Sequence, residues 1–152
     1  MKLLARFFFF LFLFCGAWFC GWGQSMVPII QQTQSTIGQI EKDGDVVDVA
    51  LYDYIFKDNN STFTYEYQFY SSDSYTVRVI GDETRNTNLA IRIYRLVGSN
   101  WQQVKQVVAT GKAAASLPFR PPGSERFRIE VSCDLTGGYT SSCFGLIIVR
   151  VE

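Results

Sequence analysis

The sequence contains no histidine, and this absence narrows the chemistry open to the chain. Histidine is the commonest general base near neutral pH and the commonest zinc ligand. Ser-His-Asp and Cys-His catalysis are therefore excluded within these 152 residues. An enzyme would have to work with carboxylates alone, and the sequence shows neither a catalytic constellation nor a cofactor motif. We therefore predict a noncatalytic protein that requires no cofactor.

An excess of charge of one sign is also lacking. The chain has 14 basic and 14 acidic side chains, and without Lys2 and Arg6 the balance is 12 basic against 14 acidic. Proteins that bind nucleic acids concentrate positive charge on one surface. We therefore expect no nucleic-acid partner.

Long hydrophobic runs are missing except for one at the N-terminus. A short basic segment, Met1–Arg6, precedes the apolar run Phe7–Trp22. A membrane span needs about 20 residues, so this run is short for one and is typical of a signal peptide. Gly21 and Gly23 are small residues of the kind that signal peptidase accepts. We predict that residues 1–23 form a signal-peptide helix and that the protein is secreted, periplasmic or on the cell surface.

Three alternatives to this cleavage remain. The cut could follow Ser25, or the run could stay as an uncleaved anchor. Lipidation of Cys15 or Cys20 is the third, although Phe14 and Phe19 stand where a small residue usually precedes a lipidated cysteine. If the signal peptide is cleaved as predicted, we expect the chain to contact the membrane only through that peptide.

Residues 24–40 are rich in Gln and Thr with little periodicity, and we interpret them as a flexible leader that ends in a short strand near Ile37–Ile40. Residues 41–152 alternate polar and apolar side chains with period two, which favours strands joined by short turns. This pattern predicts an all-β domain, a two-sheet antiparallel β-sandwich of jelly-roll or immunoglobulin-like type. The predicted strands are Val46–Phe56, Thr62–Tyr70, Tyr75–Ile80, Leu89–Val97, Trp101–Ala109, Ala113–Phe119, Arg126–Cys133 and Cys143–Val151.

Only Cys133 and Cys143 follow the predicted cleavage site. Cys133 is in phase with the apolar face of its strand, and the residues between the two cysteines resemble a hairpin loop. Both sulfurs would then face one side of neighbouring strands, which predicts a structural disulfide. Two free buried thiols and a redox-active pair are the alternatives.

Acidic residues cluster at the start of the domain, where Asp43, Gly44 and Asp45 form a predicted turn and Asp48 follows. Calcium takes six to eight oxygen ligands, and acidic loops of a β-sandwich can supply several of them. The spacing lacks the EF-hand pattern. The alternatives are a calcium site and a solvated acidic turn.

Aromatic residues are abundant. Sandwich proteins that bind sugars stack the sugar rings against exposed aromatic side chains. Tyr94 is in the outward phase of its strand and Trp101 lies next to a turn, so these two form the candidate ligand platform. Core packing or the filling of a strand surface is the alternative role for such rings.

The last strand is apolar on both faces. Phe144, Leu146 and Ile148 occupy the face opposite the cysteine. Two interpretations stay open: the strand is central and covered by a loop, or these residues form a patch that binds a partner.

The order of strands from Thr62 onward resembles bacterial pre-peptidase C-terminal domains. The resemblance rests on Tyr75–Val79, Leu89–Tyr94 and Phe127–Val131, followed by a Gly-containing loop and a final apolar strand. It covers about 90 residues by strand pattern alone. It implies a secreted β-sandwich that is a noncatalytic accessory domain. Asn86-Thr87-Asn88 stands where that family often has an Asp pair, which counts against a carried-over calcium role.

These observations predict a secreted, noncatalytic binding or interaction module for a surface glycan or a protein partner. A structural subunit of a cell-surface or extracellular assembly is the alternative.

Overall fold

The structure is a computed structural model that describes residues 26–57 and 60–151. Within these residues the chain forms one helix, α1 (Val27–Lys42), and eight strands. The strands are β1 (Val46–Phe56), β2 (Thr62–Phe69), β3 (Ser74–Gly81), β4 (Asn86–Val97), β5 (Asn100–Ala109), β6 (Ala114–Phe119), β7 (Glu125–Leu135) and β8 (Ser141–Val151). The predicted signal peptide, its cleavage sites and the cysteines considered for lipidation lie outside the described residues.

The strands form two antiparallel sheets. Sheet A has the order β1-β8-β3-β6 and sheet B the order β2-β7-β4-β5. Successive strands alternate between the sheets except for β4 and β5, which are joined within sheet B. This is the strand order of a jelly roll. The predicted β-sandwich is therefore confirmed, and the strand order selects the jelly-roll form.

The hydrophobic core lies between the two sheets, where every second side chain of each strand points inward. Aromatic rings gather around Phe69 at one end of this core. Its ring meets those of Tyr75, Phe119 and Phe127 edge to face, with centroids 4.8, 5.2 and 5.8 Å apart. Such edge-to-face packing stabilises aromatic clusters beyond the area that they bury.

Helix α1 occupies the segment that we interpreted as a flexible leader, so that interpretation needs correction. It packs against β8, β1 and β3 on the outer face of sheet A. Its inward residues are Ile29, Thr33, Ile37 and Ile40, spaced by four, four and three residues as one helical face requires. Apolar periodicity is the main sequence signal for a helix. Here Thr33 interrupts the apolar stripe and many Gln side chains surround it, so this signal is too weak to predict the helix.

A β-bulge in β1 allows this strand to pack against both α1 and the core between the sheets. The register shifts between Val47 and Val49. As a result, Val47 packs under α1 while Val49 and Leu51 face the core. Strict alternation would put all three residues on one face, and a bulge leaves no signal in a period-two pattern.

In the described part of the chain, no helix combines the length and the apolar character that crossing a membrane requires.

Candidate functional site

The two sheets differ in what covers their outer faces. Sheet A lies beneath α1, whereas the outward side chains of sheet B are exposed or half-buried, apart from the small Ala90. We call this second surface the open face. The strand registers place these outward residues on it: Thr64, Glu66, Gln68, Ala90, Arg92, Tyr94, Leu96, Trp101, Gln103, Gln106, Val108, Arg126, Arg128, Glu130 and Ser132.

Trp101 stands at one end of the open face and is held there by an arginine. It lies directly opposite Leu96 on the neighbouring strand. The Arg128 guanidinium lies 4.2 Å from the centroid of the indole ring, and its Nη2 donates to Glu66 Oε1 at 3.0 Å. A guanidinium over an aromatic face is a favourable cation–π arrangement. This contact favours one orientation of the indole ring and covers one of its two faces.

Tyr94 belongs to a hydrogen-bonded network in the middle of the open face. Arg92 Nη1 donates to Glu130 Oε1 at 2.9 Å and to Ser132 Oγ at 2.8 Å. The Tyr94 hydroxyl donates to the same Glu130 oxygen at 3.3 Å. Burial raises the pKa of Tyr94, and the charge and hydrogen bond of Glu130 raise it further. Tyr94 is thus a neutral phenol, and its ring is positioned by this network.

A polar depression of about 350 Å³ lies at the end of the open face away from Trp101. Asn60, Asn88 and Asp134 line its rim, and the small side chains Ala90 and Ser132 leave room at its floor. Small residues among long neighbours create such a depression in an otherwise filled sheet surface. We call it the polar pocket.

Asn88 is fixed firmly at the rim of the polar pocket. Its φ of 52° is left-handed, and the register of β4 with β7 shifts around it. Its Nδ2 donates to Asp134 Oδ2 at 2.7 Å, and its Oδ1 accepts from the Gly111 amide at 2.9 Å. Asn60, also at the rim, has a φ of 54°. Left-handed non-glycine residues are uncommon and gather at ligand sites more than elsewhere.

The three predicted metal ligands are not gathered into one site. Asp43 ends α1 and accepts from Gln39 Nε2 at 2.9 Å. Asp48 accepts from the Tyr67 hydroxyl at 3.0 Å and lies 3.7 Å from Arg150 Nη2. Burial and this aspartate together raise the pKa of Tyr67. Asp43, Asp45 and Asp48 form no cluster of three metal-ligating side chains in residues 26–57 and 60–151, and neither does any other set there.

The predicted disulfide between Cys133 and Cys143 is absent from the described residues, and its geometry explains the correction. β7 and β8 belong to different sheets, so the segment between the cysteines is a crossover and no hairpin. Cys133 points into the core between the sheets. Cys143 is in phase with Ile147 and Val149, which face α1. The two side chains thus lie on opposite sides of sheet A, and a disulfide needs Cβ atoms about 4 Å apart.

The apolar residues of the last strand do not form a surface patch. Phe144, Leu146 and Ile148 are fully buried between the sheets, and Phe144 meets Phe63 with ring centroids 5.0 Å apart. The opposite face of β8 is covered by α1. Of the two interpretations of this strand, the structure supports the central, covered strand, and the cover is a helix rather than a loop.

Several residues of the open face were missed by sequence reasoning. The outward phase of Arg128 and Glu130 is visible in the alternation of their strand, and this signal could have found them. Asn88 and Asp134 carry no such signal, since their proximity depends on how β4 and β7 pair.

Comparisons with known proteins give structural likeness only. No protein-family model matches the chain, and no curated protein matches it in sequence. The resemblance to pre-peptidase C-terminal domains therefore stays a prediction.

Among solved structures, the chain is similar to PliG, a periplasmic inhibitor of g-type lysozyme from Aeromonas hydrophila, at 11% identity and a TM-score of 0.45 over 70% of this chain and 86% of that one. It is similar to the Yersinia pseudotuberculosis-derived mitogen at 10% identity and a TM-score of 0.45 over 71% and 87%. A CBM4 structure follows at 14% identity and a TM-score of 0.43 over 71% and 79%. Likeness at this level indicates neither a shared ligand nor a shared activity.

Proposed function

We propose that this chain is a noncatalytic binding module that binds a glycan on the open face. The observation that carries the proposal is Trp101, an aromatic ring held in place by the Arg128 guanidinium at 4.2 Å on an uncovered sheet surface. An oriented ring offers a large contact area without the entropy loss of ordering a mobile side chain.

The chemistry of the open face favours a glycan over a protein. A sugar presents hydroxyl groups at its edge and C–H groups on its face. The amides of Gln68, Gln103 and Gln106 and the carboxylates of Glu66 and Glu130 can donate to or accept from hydroxyls. Trp101 and Tyr94 can take the C–H face.

The centre of a protein–protein interface would have a different composition. The core of such an interface is apolar and depleted in charged residues. The centre of the open face instead holds the ion pairs Arg92–Glu130 and Arg128–Glu66, at 2.9 and 3.0 Å. The assembly-subunit alternative depended on an apolar patch on β8 or on a flexible leader. The β8 residues are buried, and most of the predicted leader belongs to α1, which packs on sheet A.

The proposed place of action is outside the cytoplasm. This rests on the signal-peptide pattern of residues 1–23. Secreted, periplasmic and cell-surface locations all bring the open face into contact with extracellular glycans.

Trp101→Ala tests the proposed function. We expect the wild-type protein to be retained on a glycan array and Trp101→Ala to lose at least about tenfold in affinity, which is about 1.4 kcal/mol. Titration calorimetry with the glycan that gives the strongest array signal measures this change. Circular dichroism melting establishes that the variant is folded.

Tyr139→Ala is the matched control for this experiment. The Arg85 guanidinium lies 4.2 Å from the Tyr139 ring centroid, so the same kind of pair exists in the turn after β7, at the opposite end of sheet B from Trp101, and neither residue lines the polar pocket. This variant should bind like the wild type. Equal binding by Trp101→Ala and wild type, or no retention of the wild type on the array, would overturn the proposal.

A further inference from the structure

We infer that the polar pocket is a second subsite of the open face and that the glycan is a neutral, linear oligosaccharide lying along β4 and β7. This inference rests on the proposed function and specifies its ligand. The proposed function does not require a second subsite, so an experiment can overturn the second subsite while the proposed function stands.

The first step is the distance between the two ends of the open face. Ala90 lies at the pocket floor, and Leu96 lies directly opposite Trp101. Leu96 lies six residues further along β4 than Ala90, which is about 20 Å at the rise of an antiparallel strand. A monosaccharide cannot contact both ends, whereas a linear oligosaccharide can.

The second step is the continuity of polar groups between these ends. Arg92 lines the pocket and also pairs with Glu130, to which Tyr94 donates. Tyr94 lies directly opposite Arg128, whose guanidinium lies over the Trp101 ring, so hydrogen-bonding and aromatic side chains continue from the pocket to Trp101. A chain of sugar units can contact this row along its whole length.

The third step is the charge of the pocket. Arg92 is already neutralised by Glu130, at 2.9 Å. Asp134 is exposed, and its carboxylate accepts from Asn88 Nδ2 with acceptor capacity to spare. The remaining acceptor positions of this carboxylate attract sugar hydroxyls, and its negative charge repels carboxylated or sulfated sugars. The pocket therefore suits a neutral sugar unit.

The fourth step is preorganisation. Asn88 is held at both ends of its amide, and Ser132 is held by Arg92 at 2.8 Å. Polar groups that are fixed before binding lose little entropy when a ligand arrives. The left-handed backbone at Asn60 and Asn88 sets the rim of the pocket in the same way.

The test is a chain-length series of neutral oligosaccharides, from disaccharide to hexasaccharide, of the cello-, xylo-, manno- and malto- types. For at least one type, we expect the affinity of the wild type to rise at least about tenfold along the series, which is about 1.4 kcal/mol. Asp134→Ala should remove this rise and leave the hexasaccharide bound like the disaccharide. Trp101→Ala should instead weaken binding at every length.

Two further variants make the result decisive. Asn60→Gly removes a second rim side chain while it keeps a residue that tolerates the left-handed backbone, and we expect the same loss of length dependence. Asp53→Ala removes an exposed carboxylate from sheet A and should leave binding unchanged.

The outcomes separate the two ideas. If Asp134→Ala and Asn60→Gly keep the full length dependence while Trp101→Ala loses binding, the second subsite is wrong and the proposed function stands. An affinity that does not change with length in the wild type also overturns the second subsite. If the wild type binds no oligosaccharide on the array or in solution, both are wrong.

Discussion

At the scale of single residues, Cys133 shows how environment decides the chemistry of a thiol. It is 5% exposed within the sandwich core, and its Sγ donates to Asn86 Oδ1 at 3.5 Å. Burial raises its pKa from 9.0 to about 11, and the nearby Asp134 adds to the shift. A thiol that resists ionisation is a poor nucleophile and a poor redox partner. Cys133 is therefore a small apolar core residue.

This pKa predicts a fall in stability at alkaline pH. Below the ordinary pKa both the folded and the unfolded thiol are protonated, so the pH has no effect through Cys133. Between pH 9 and 11 the unfolded chain releases this proton while the folded chain keeps it, so the free energy of unfolding falls as pH rises. Two pKa units correspond to at most roughly 2–3 kcal/mol.

Urea unfolding at pH 8 and pH 10.5 measures this effect. Cys133→Ala should lose less stability between the two pH values than the wild type, because the other titrating groups are common to both proteins. An equal loss in both would show that the thiol ionises as easily in the folded state as in the unfolded one.

At the scale of elements, the close packing of α1 against β8 depends on one glycine. Gly145 faces the helix, and a Cβ atom added there would collide with Oγ1 of the buried Thr33. The absence of that Cβ allows the helix to approach the sheet. Thr33 Oγ1 is buried and has no hydrogen-bond partner among the described residues.

Gly145→Ala should therefore destabilise the protein by about 1–3 kcal/mol, because it overpacks this contact. Thr33→Ala removes the colliding atom, and in the double variant we expect much of the loss to be recovered. Chemical denaturation of the four proteins gives the coupling energy, which should exceed about 0.5 kcal/mol.

Gly38→Ala is the control for these measurements. A Cβ at Gly38 meets nothing within 4 Å, so alanine there should stabilise α1 by up to about 1 kcal/mol. Strictly additive effects of the Gly145 and Thr33 substitutions would contradict the proposed contact.

At the scale of the whole molecule, the jelly roll makes β8 its most enclosed strand. It lies between β1 and β3 in sheet A, with the core on one side and α1 on the other. A strand buried on both faces tolerates no polar substitution in its interior. The same sequence feature that suggested a partner patch is thus a requirement of the fold.

Ile148→Asp should unfold the domain rather than dissociate an assembly, since a buried carboxylate without a partner costs about 4 kcal/mol or more. Far-UV circular dichroism and size-exclusion chromatography measure the outcome.

Two controls accompany this variant. Ile148→Val should lose only about 0.5–1.5 kcal/mol. Val151→Asp, at the 42% exposed end of the same strand, should remain folded. A soluble, folded Ile148→Asp protein would show that this side chain does not lie in the core.

The sequence predicted the eight strands to within a few residues, because each strand with one covered face carries its own period-two signal. It also placed Tyr94 in the outward phase of its strand and Trp101 next to a turn, and the strand register puts both on the open face, whereas their role as a ligand platform stays a proposal. It did not predict α1, because Thr33 and the Gln side chains interrupt the apolar stripe. It left Phe144 open between a covered strand and a surface patch, and it wrongly placed Cys143 on the same side as Cys133, because the alternation of one strand does not say which sheet contains it.

The sequence by itself thus determined the all-β class, the strand boundaries and the absence of histidine chemistry, all of which are local or compositional properties. The tertiary structure alone decided that β7 and β8 belong to different sheets, that α1 covers sheet A, and that Asn88 and Asp134 meet beside Arg92. The reason is physical. Pairing between strands far apart in the chain depends on the packing of the whole sandwich, and no local pattern records it.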